Sequence, residues 1–489
     1  MGQGCQGRRC KGGLNVTLAV DPVADTLARF VAGLAPDSIP EQVSLRARHL
    51  MLDAIGCGLA ARRESFAVRF QDSLRALAGG VQGTSGVLGF AERMTLRDAT
   101  TLNGMLMHGL DYDDTHMAGV VHLTVSVLPA VLSLAAQRGA NGKAMLTAYI
   151  AAVEAGARIA SAVKGGFHRQ GFHPTGLVGT FASALAAGRL MGLDAGQLIH
   201  AQGAALSMAS GSLQFIEDGA WTKRVHAGWA AQSGLAAASF AAHGVIAPQA
   251  PYTGRYGLYR SHLSEVDAAQ IHLDSATAGL DADGQASVWE LMQMAVKPFA
   301  MCHFVHAATD AAIALHRRGV DIRAIESVEV LVPQAAVELV CEPSDRKRRP
   351  QNEYDAKFSL PYAVSSGLIR GRLGLKELLP EAYLDVTAQA LMDRVTYRVD
   401  PNSTFPRHYS GEVRIILRSG NELVHREAVN RGHPERPVTN EQVQAKFMEN
   451  ACLHFSETHA TAVREQVLAL DALPSVATLE TLLAQEPLQ

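Results

Sequence analysis

Three aspartates (Asp111, Asp113, Asp114), three histidines (His108, His116, His122) and Thr115 fall between residues 108 and 122, and the sequence on both sides is rich in Ala, Leu, Met and Gly. So many titratable groups between apolar helices do not suit a simple surface loop. Buried charge is costly unless it is paired or used, and groups with perturbed protonation gather at functional sites. The stretch 108–129 is therefore the point around which the rest of the chain is read.

At 489 residues the chain exceeds one simple core, and two domains are expected. It is 48% hydrophobic and only 6% aromatic, with 44 glycines. Bulk from Ala, Leu and Val suits close-packed helices. A net charge of −3 points to no nucleic-acid and no membrane partner, and no apolar run is long enough for a transmembrane helix. Cys5, Cys10, Cys57, Cys302, Cys341 and Cys452 are scattered, with no C-x-x-C pair. That argues against a disulfide framework, a zinc ribbon and an iron–sulfur site, and favours a reducing cytoplasm. Residues 1–20, with Arg8, Arg9, Lys11 and several glycines, read as a disordered leader. The apolar run 14–20 is too short for a secretory signal, and the glycines argue against a mitochondrial presequence.

Helical periodicity covers 22–34, 40–62 and 66–78. Thr95 with Asp98 makes a variant capping box for a helix that delivers His108 and Asp111 at its end. Further helices follow from Val125, from an Asn141 cap, from Pro174 and from an Asp194–Gln197 capping box, with a last one from a Thr222 cap to before Gly244. From about 285 the texture changes. Lys297 to His306 opens a helix to about Arg318; 325–340, 395–399 and 411–424 read as β, with a hairpin turn at Ser419-Gly420-Asn421. Residues 353–370, 438–455 and the tail to 485 read as helical. The fold expected is mainly α with a smaller α+β domain. Residues 21–284 and 432–489 form a helical domain from both chain ends, and 285–431 an inserted α+β lid.

The polar cluster allows three readings. Asp and His are competent metal ligands, but His-x-x-x-His and EF-hand spacings are missing. A capped polar loop is the bland alternative. The third is an acid/base and substrate-binding site, and three other loops favour it. His173 lies just before a helix N-terminus, Lys223 at or beside another, and Lys297 just before Pro298 and the next helix. Helix N-termini hold carboxylates well, so together these loops suit a small polyanionic acid. Phosphate-loop, dinucleotide and G-x-S-x-G motifs are absent, and Arg346 to Arg349 is read as a solvated run.

Five stretches resemble the MmgE/PrpD family: Leu52 to Cys57, His108 to Thr115, Gly171 to Gly176, Glu217 to His226 and Lys297 to Cys302. That family contains 2-methylcitrate dehydratase, cis-aconitate decarboxylase and iminodisuccinate epimerase. The resemblance implies a homodimer without metal or organic cofactor, acting on a small carboxylic acid. Carried over, its site comprises Asp111, Thr115, His122, His173, Lys223, Lys297 and Tyr362. The expected roles are proton transfer at carbon by His122, with Lys223 as an alternative base, and carboxylate binding by Lys223, Lys297 and His173. Asp111 would orient a neighbouring base, and Thr115 and Tyr362 would supply hydrogen bonds. The spacing from Thr115 to His122 is one residue longer than in the decarboxylases, so His116 competes as proton carrier. The leading expectation is a cofactor-independent lyase, a dehydratase or decarboxylase. An epimerase of a related dicarboxylate and a non-catalytic carboxylate-binding homologue are the alternatives.

Overall fold

The computed structural model describes residues 20–281 and 285–486, so the expected leader lies outside the described residues except for Val20. The chain is mainly helical with a smaller α+β part, as its periodicities predict. The helix Glu41–Ala61 is buried on every side from Ala47 onward, the position of a helix apolar all round. Leu96–Met107, Thr124–Gln137, Gly142–Ser161, Pro174–Met191 and Thr222–Ala242 assemble beside it. Thr95 and Asn141 cap their helices, and Asp194 with Gln197 forms the reciprocal box. Thr222, by contrast, is the first helical residue and makes no side-chain cap.

Small residues decide how closely these helices approach. A Cβ on Gly104 would lie 2.5 Å from the Cα of Gly228, and one on Gly234 would lie 2.4 Å from Ser183 Cβ. The helix Thr222–Ala242 is thereby pressed against Leu96–Met107 on one side and Pro174–Met191 on the other. That contact brings the start of one helix, with Lys223, to the end of another, with His108 and Asp111.

A four-stranded sheet has the order Val395–Val399, Ile325–Val332, Gly411–Leu417, Glu422–Glu427. Its first pair is parallel and the other two are antiparallel. Val328, Val330, Val413 and Ile415 are buried at the alternate spacing of one sheet face, and His306–Arg317 lies against the sheet. The strand expected over 325–340 stops at Val332, and 334–341 turns helical after Pro333. The helix expected over 353–370 is broken in two, Glu353–Lys357 and Leu360–Arg370. Pro361 has no N–H to donate and its ring clashes with a helical carbonyl four residues back, at Lys357, and Ser359 caps the second piece.

The C-terminal helix Asn440–Ala451 returns to pack on Glu41–Ala61, followed by Glu457–Leu468 and Ala477–Leu483. No described helix is long and apolar enough to cross a membrane.

Candidate active site

The helix Leu96–Met107 ends at His108, and the chain then turns through Asp111 with φ 53°. Left-handed backbone costs a non-glycine residue about 1 kcal/mol or more. Four successive carbonyls across the turn each accept a hydrogen bond from a different cationic side chain. Arg224 Nε donates to Gly109 O at 2.7 Å and Lys357 Nζ to Leu110 O at 3.1 Å. Lys297 Nζ donates to Asp111 O at 2.8 Å and Lys446 Nζ to Tyr112 O at 2.7 Å. The donors come from four separate parts of the chain, so the turn is fixed only once the whole molecule has folded.

The Asp111 carboxylate bridges two ammonium groups, Lys223 and Lys297, each at 2.8 Å. Burial alone would raise its pKa; the two lysines overcome that and hold it well below the usual carboxylate range. Burial would likewise lower the Lys297 pKa, and Asp111 reverses the direction. Among the described residues, Asp111 is the one carboxylate paired with either lysine. Lys357 and Lys446 have their own, Glu353 and Asp53. The lysine that reaches solvent is Lys223, whose side chain is 20% exposed against 4% for Lys297.

Lys297 is not placed by a helix start. The strand Met294–Ala295 pairs antiparallel with Thr115–His116, and the next α-helix begins only at His306. A two-residue ladder, rather than a helix terminus, brings Lys297 to Asp111. His173 and Lys223 do lie at helix starts, of Pro174–Met191 and Thr222–Ala242.

A second carboxylate organises the histidines. Asp113 accepts from His108 Nδ1 at 3.0 Å and lies 3.0 Å from His122 Nδ1. His122 Nδ1 is also 2.7 Å from Asp114 O and 3.3 Å from Thr115 Oγ1. Burial raises the Asp113 pKa, but His108 and His122 hold it well below the usual range. Carbonyls and ionised carboxylates only accept, so both rings carry their proton on Nδ1 and present Nε2 as the basic atom. His108 Nε2 is fully buried and has no protein partner. The His122 backbone N–H donates to Thr175 Oγ1 at 3.1 Å, which ties its main chain to the helix that starts after His173.

The His108, His122 and His173 rings lie 4.8 to 6.1 Å apart, and His173 Nδ1 meets His226 Nδ1 at 2.9 Å. Burial, reinforced by the neighbouring cations, pushes His173 well below the ordinary imidazole range and His226 down to about 4. A cavity of about 620 Å³ opens beside this pair, lined by Phe172, Ser210, Val225, His226 and Trp229 among others.

Six of the seven residues expected at the site, all but Tyr362, thus fall into two clusters on the 108–122 loop, Lys223 and Lys297 on Asp111 and His173 beside Thr115 and His122. The Tyr362 hydroxyl donates to Glu377 O and its ring faces Tyr383; the structure does not bring it to the other six. His116 is engaged elsewhere: its Nε2 pairs with Glu290 at 3.0 Å and its Nδ1 accepts from Gly119 N–H. Sequence reading passed over Asp113, His226, Arg224, Lys357 and Lys446 as site residues. Asp113 and His226 lie within the motif stretches, and their histidine-rich neighbourhoods were the available signal. His108, Asp113 and His122 offer donor atoms within 4.8 Å of one another, close enough to hold a metal ion. Both Nδ1 atoms already carry the hydrogen bonds described, so an ion there would have to use Nε2 or displace Asp113.

Comparison with known proteins identifies the family. The MmgE/PrpD N-terminal domain matches residues 25–271 and the MmgE/PrpD C-terminal domain residues 299–472. A cis-aconitate decarboxylase-like protein of Aspergillus oryzae is 23% identical over 95% of this chain and 98% of its own. Cis-aconitate decarboxylase of Aspergillus terreus is 24% identical over 94% and 96%. The Homo sapiens enzyme of that name is 25% identical over 94% of each chain. With both domains matched in order along the chain, the protein belongs to the MmgE/PrpD family.

Proposed function

We propose that this lyase takes a small di- or tricarboxylic acid of the cis-aconitate type and works through a carbanion held next to a carboxylate, without a metal or organic cofactor. The observation that carries the reading is that Lys223 and Lys297 share one counter-ion, Asp111. One positive charge is left over where Lys223 reaches solvent, and a substrate carboxylate is its natural complement. The names of the relatives support the same substrate class.

In a decarboxylation the bond to the departing carboxylate breaks and carbon dioxide leaves. The electron pair spreads into the remaining conjugated carboxylate, and a proton is delivered to carbon. Lys223 and Lys297 stabilise the charge as it develops. His122 carries the proton on Nε2, because Asp113 and Asp114 O fix its other nitrogen. Run in the other direction, a neutral His122 removes a proton beside a carboxylate, and loss of hydroxyl as water completes a dehydration of the 2-methylcitrate type. His116, with both nitrogens engaged, is left out of this scheme.

The deciding experiment incubates chelator-treated protein in deuterated water with cis-aconitate, 2-methylcitrate, citrate and iminodisuccinate, followed by proton NMR. Loss of carbon dioxide from cis-aconitate with one deuteron fixed at carbon is expected; loss of water would mark the dehydratase. Deuterium exchange with inversion would mark an epimerase, and inertness to all four overturns the reading. Activity that chelator abolishes and a divalent ion restores contradicts its cofactor-free part.

A further inference from the structure

Lys446 is buried on the C-terminal helix Asn440–Ala451 and takes no part in the scheme above. Its Nζ lies 2.7 Å from Tyr112 O, 3.0 Å from Lys297 O and 2.7 Å from Asp53 Oδ1. Of these three atoms the two carbonyls accept hydrogen bonds from the ammonium, and Asp53 supplies the counter-charge. Two of the three are main-chain carbonyls of the site: that of Lys297 itself and that of the residue after Asp111. The ammonium also sits 3.7 Å over the Tyr112 ring, whose hydroxyl donates to Pro298 O at 3.2 Å. The segments carrying the two halves of the Asp111–Lys297 pair are thus tied to each other twice, once through Lys446 and once through the Tyr112 hydroxyl.

Asp53 is fully buried on Glu41–Ala61 and has Lys446 as its ion-pair partner. The two helices close in at Gly56, where a Cβ would lie 3.1 Å from the Phe447 ring. Stability does not require a charge pair in such an interface. Replacing a buried ion pair with apolar groups is often neutral or stabilising. What an apolar pair could not do is hold two carbonyls from distant segments in register.

We propose that Lys446, with Asp53 as its counter-ion, is a positioning residue that sets the register of Asp111 against Lys297. The proposal rests on the reading of that pair as substrate-binding. A displacement of about 1 Å in such a pair can cost on the order of 100-fold in rate. Loosening the pair also weakens the hold of Asp111 on the Lys297 proton.

The test uses the full chain with Lys446→Met and Asp53→Asn combined, so that neither charge is left alone. Wild type and Lys297→Ala run beside it. Readouts are cis-aconitate turnover across pH, citrate binding by calorimetry, and thermal melting. The double variant is expected to melt within a few degrees of wild type, with kcat reduced about 10- to 100-fold, a smaller change in KM, and the basic limb of the pH profile moved down. Wild-type kcat and pH profile in the double variant, with Lys297→Ala inactive, overturn the positioning role and leave the site reading intact. An active Lys297→Ala overturns the site reading instead. If wild type is inert to cis-aconitate, citrate affinity decides: about tenfold weaker binding in the double variant supports the role, and unchanged binding overturns it. If the double variant does not fold, Lys446→Arg replaces it, since a planar, longer guanidinium cannot set one nitrogen against both carbonyls and Asp53. About tenfold lower kcat is then expected, and wild-type turnover contradicts the proposal.

Discussion

Asp111 and Asp114 lie three positions apart on one loop, both pressed into the protein, and burial drives their protonation the same way. Asp111 faces Lys223 and Lys297 and stays ionised. Asp114 accepts from the Thr124 hydroxyl but has Asp113 and Asp53 nearby, and its pKa is pushed well above the usual range. The contrast divides the loop by task. The Asp111 end gathers cations, which in the proposed function meet the substrate carboxylate; the end running through Asp113 and Asp114 to His122 holds imidazole protons in place. Burial makes either outcome possible, and the neighbouring charges select between them.

The largest expected effect is at His122. His122→Ala should cost about 10³-fold or more in kcat with little change in melting temperature, whereas His116→Ala should spare kcat and lower stability. Near-normal turnover of His122→Ala would remove the ring from the mechanism. Next comes the pair of acids. Asp111→Asn strands two ammonium groups and should lose about 10²-fold in kcat/KM and about 3 kcal/mol of stability. Asp114→Asn keeps an acceptor for Thr124 and no charge, so kcat/KM should stay within about threefold and stability within about 1 kcal/mol. Equal losses in the two variants would erase the distinction between the two ends.

The smallest effect is a pH dependence. His226 titrates at about 4 in the folded protein against an ordinary 6.5. Between those values the unfolded chain binds the extra proton, so the contribution of neutral His226 is complete above about pH 6.5 and is lost as pH falls toward 4. His226→Gln should therefore melt with a shallower loss between pH 6.5 and 4.5 than wild type. An unchanged slope would show that the ring does not titrate in that range.

Much of the fold was legible because capping residues and apolar spacing act locally: Thr95, Asn141 and the Asp194–Gln197 box sit where their side chains predict. Two of the broken expectations, 325–340 and 353–370, failed at prolines that outweigh an otherwise continuous pattern. In the site, Asp111, Thr115, His173, Lys223 and Lys297 were identifiable because they sit in motif stretches, and His122 because it belongs to the polar cluster of 108–122. Lys446, Lys357 and Arg224 act on backbone carbonyls of residues 109 to 112. A lysine on a terminal helix has no spacing that reveals a carbonyl hundreds of residues away, and its prior reading is a solvated charge. Tyr362 came from family resemblance alone, and here its hydroxyl is committed to Glu377.

The division of the loop is tested most directly by calorimetric titration of cis-aconitate into His122→Ala and Lys297→Ala. His122→Ala should bind with wild-type affinity and fail to turn the acid over, while Lys297→Ala should lose at least about tenfold in affinity, some 1.4 kcal/mol. Undiminished binding by Lys297→Ala together with lost binding by His122→Ala would contradict the assignment of charge to one end of the loop and proton transfer to the other.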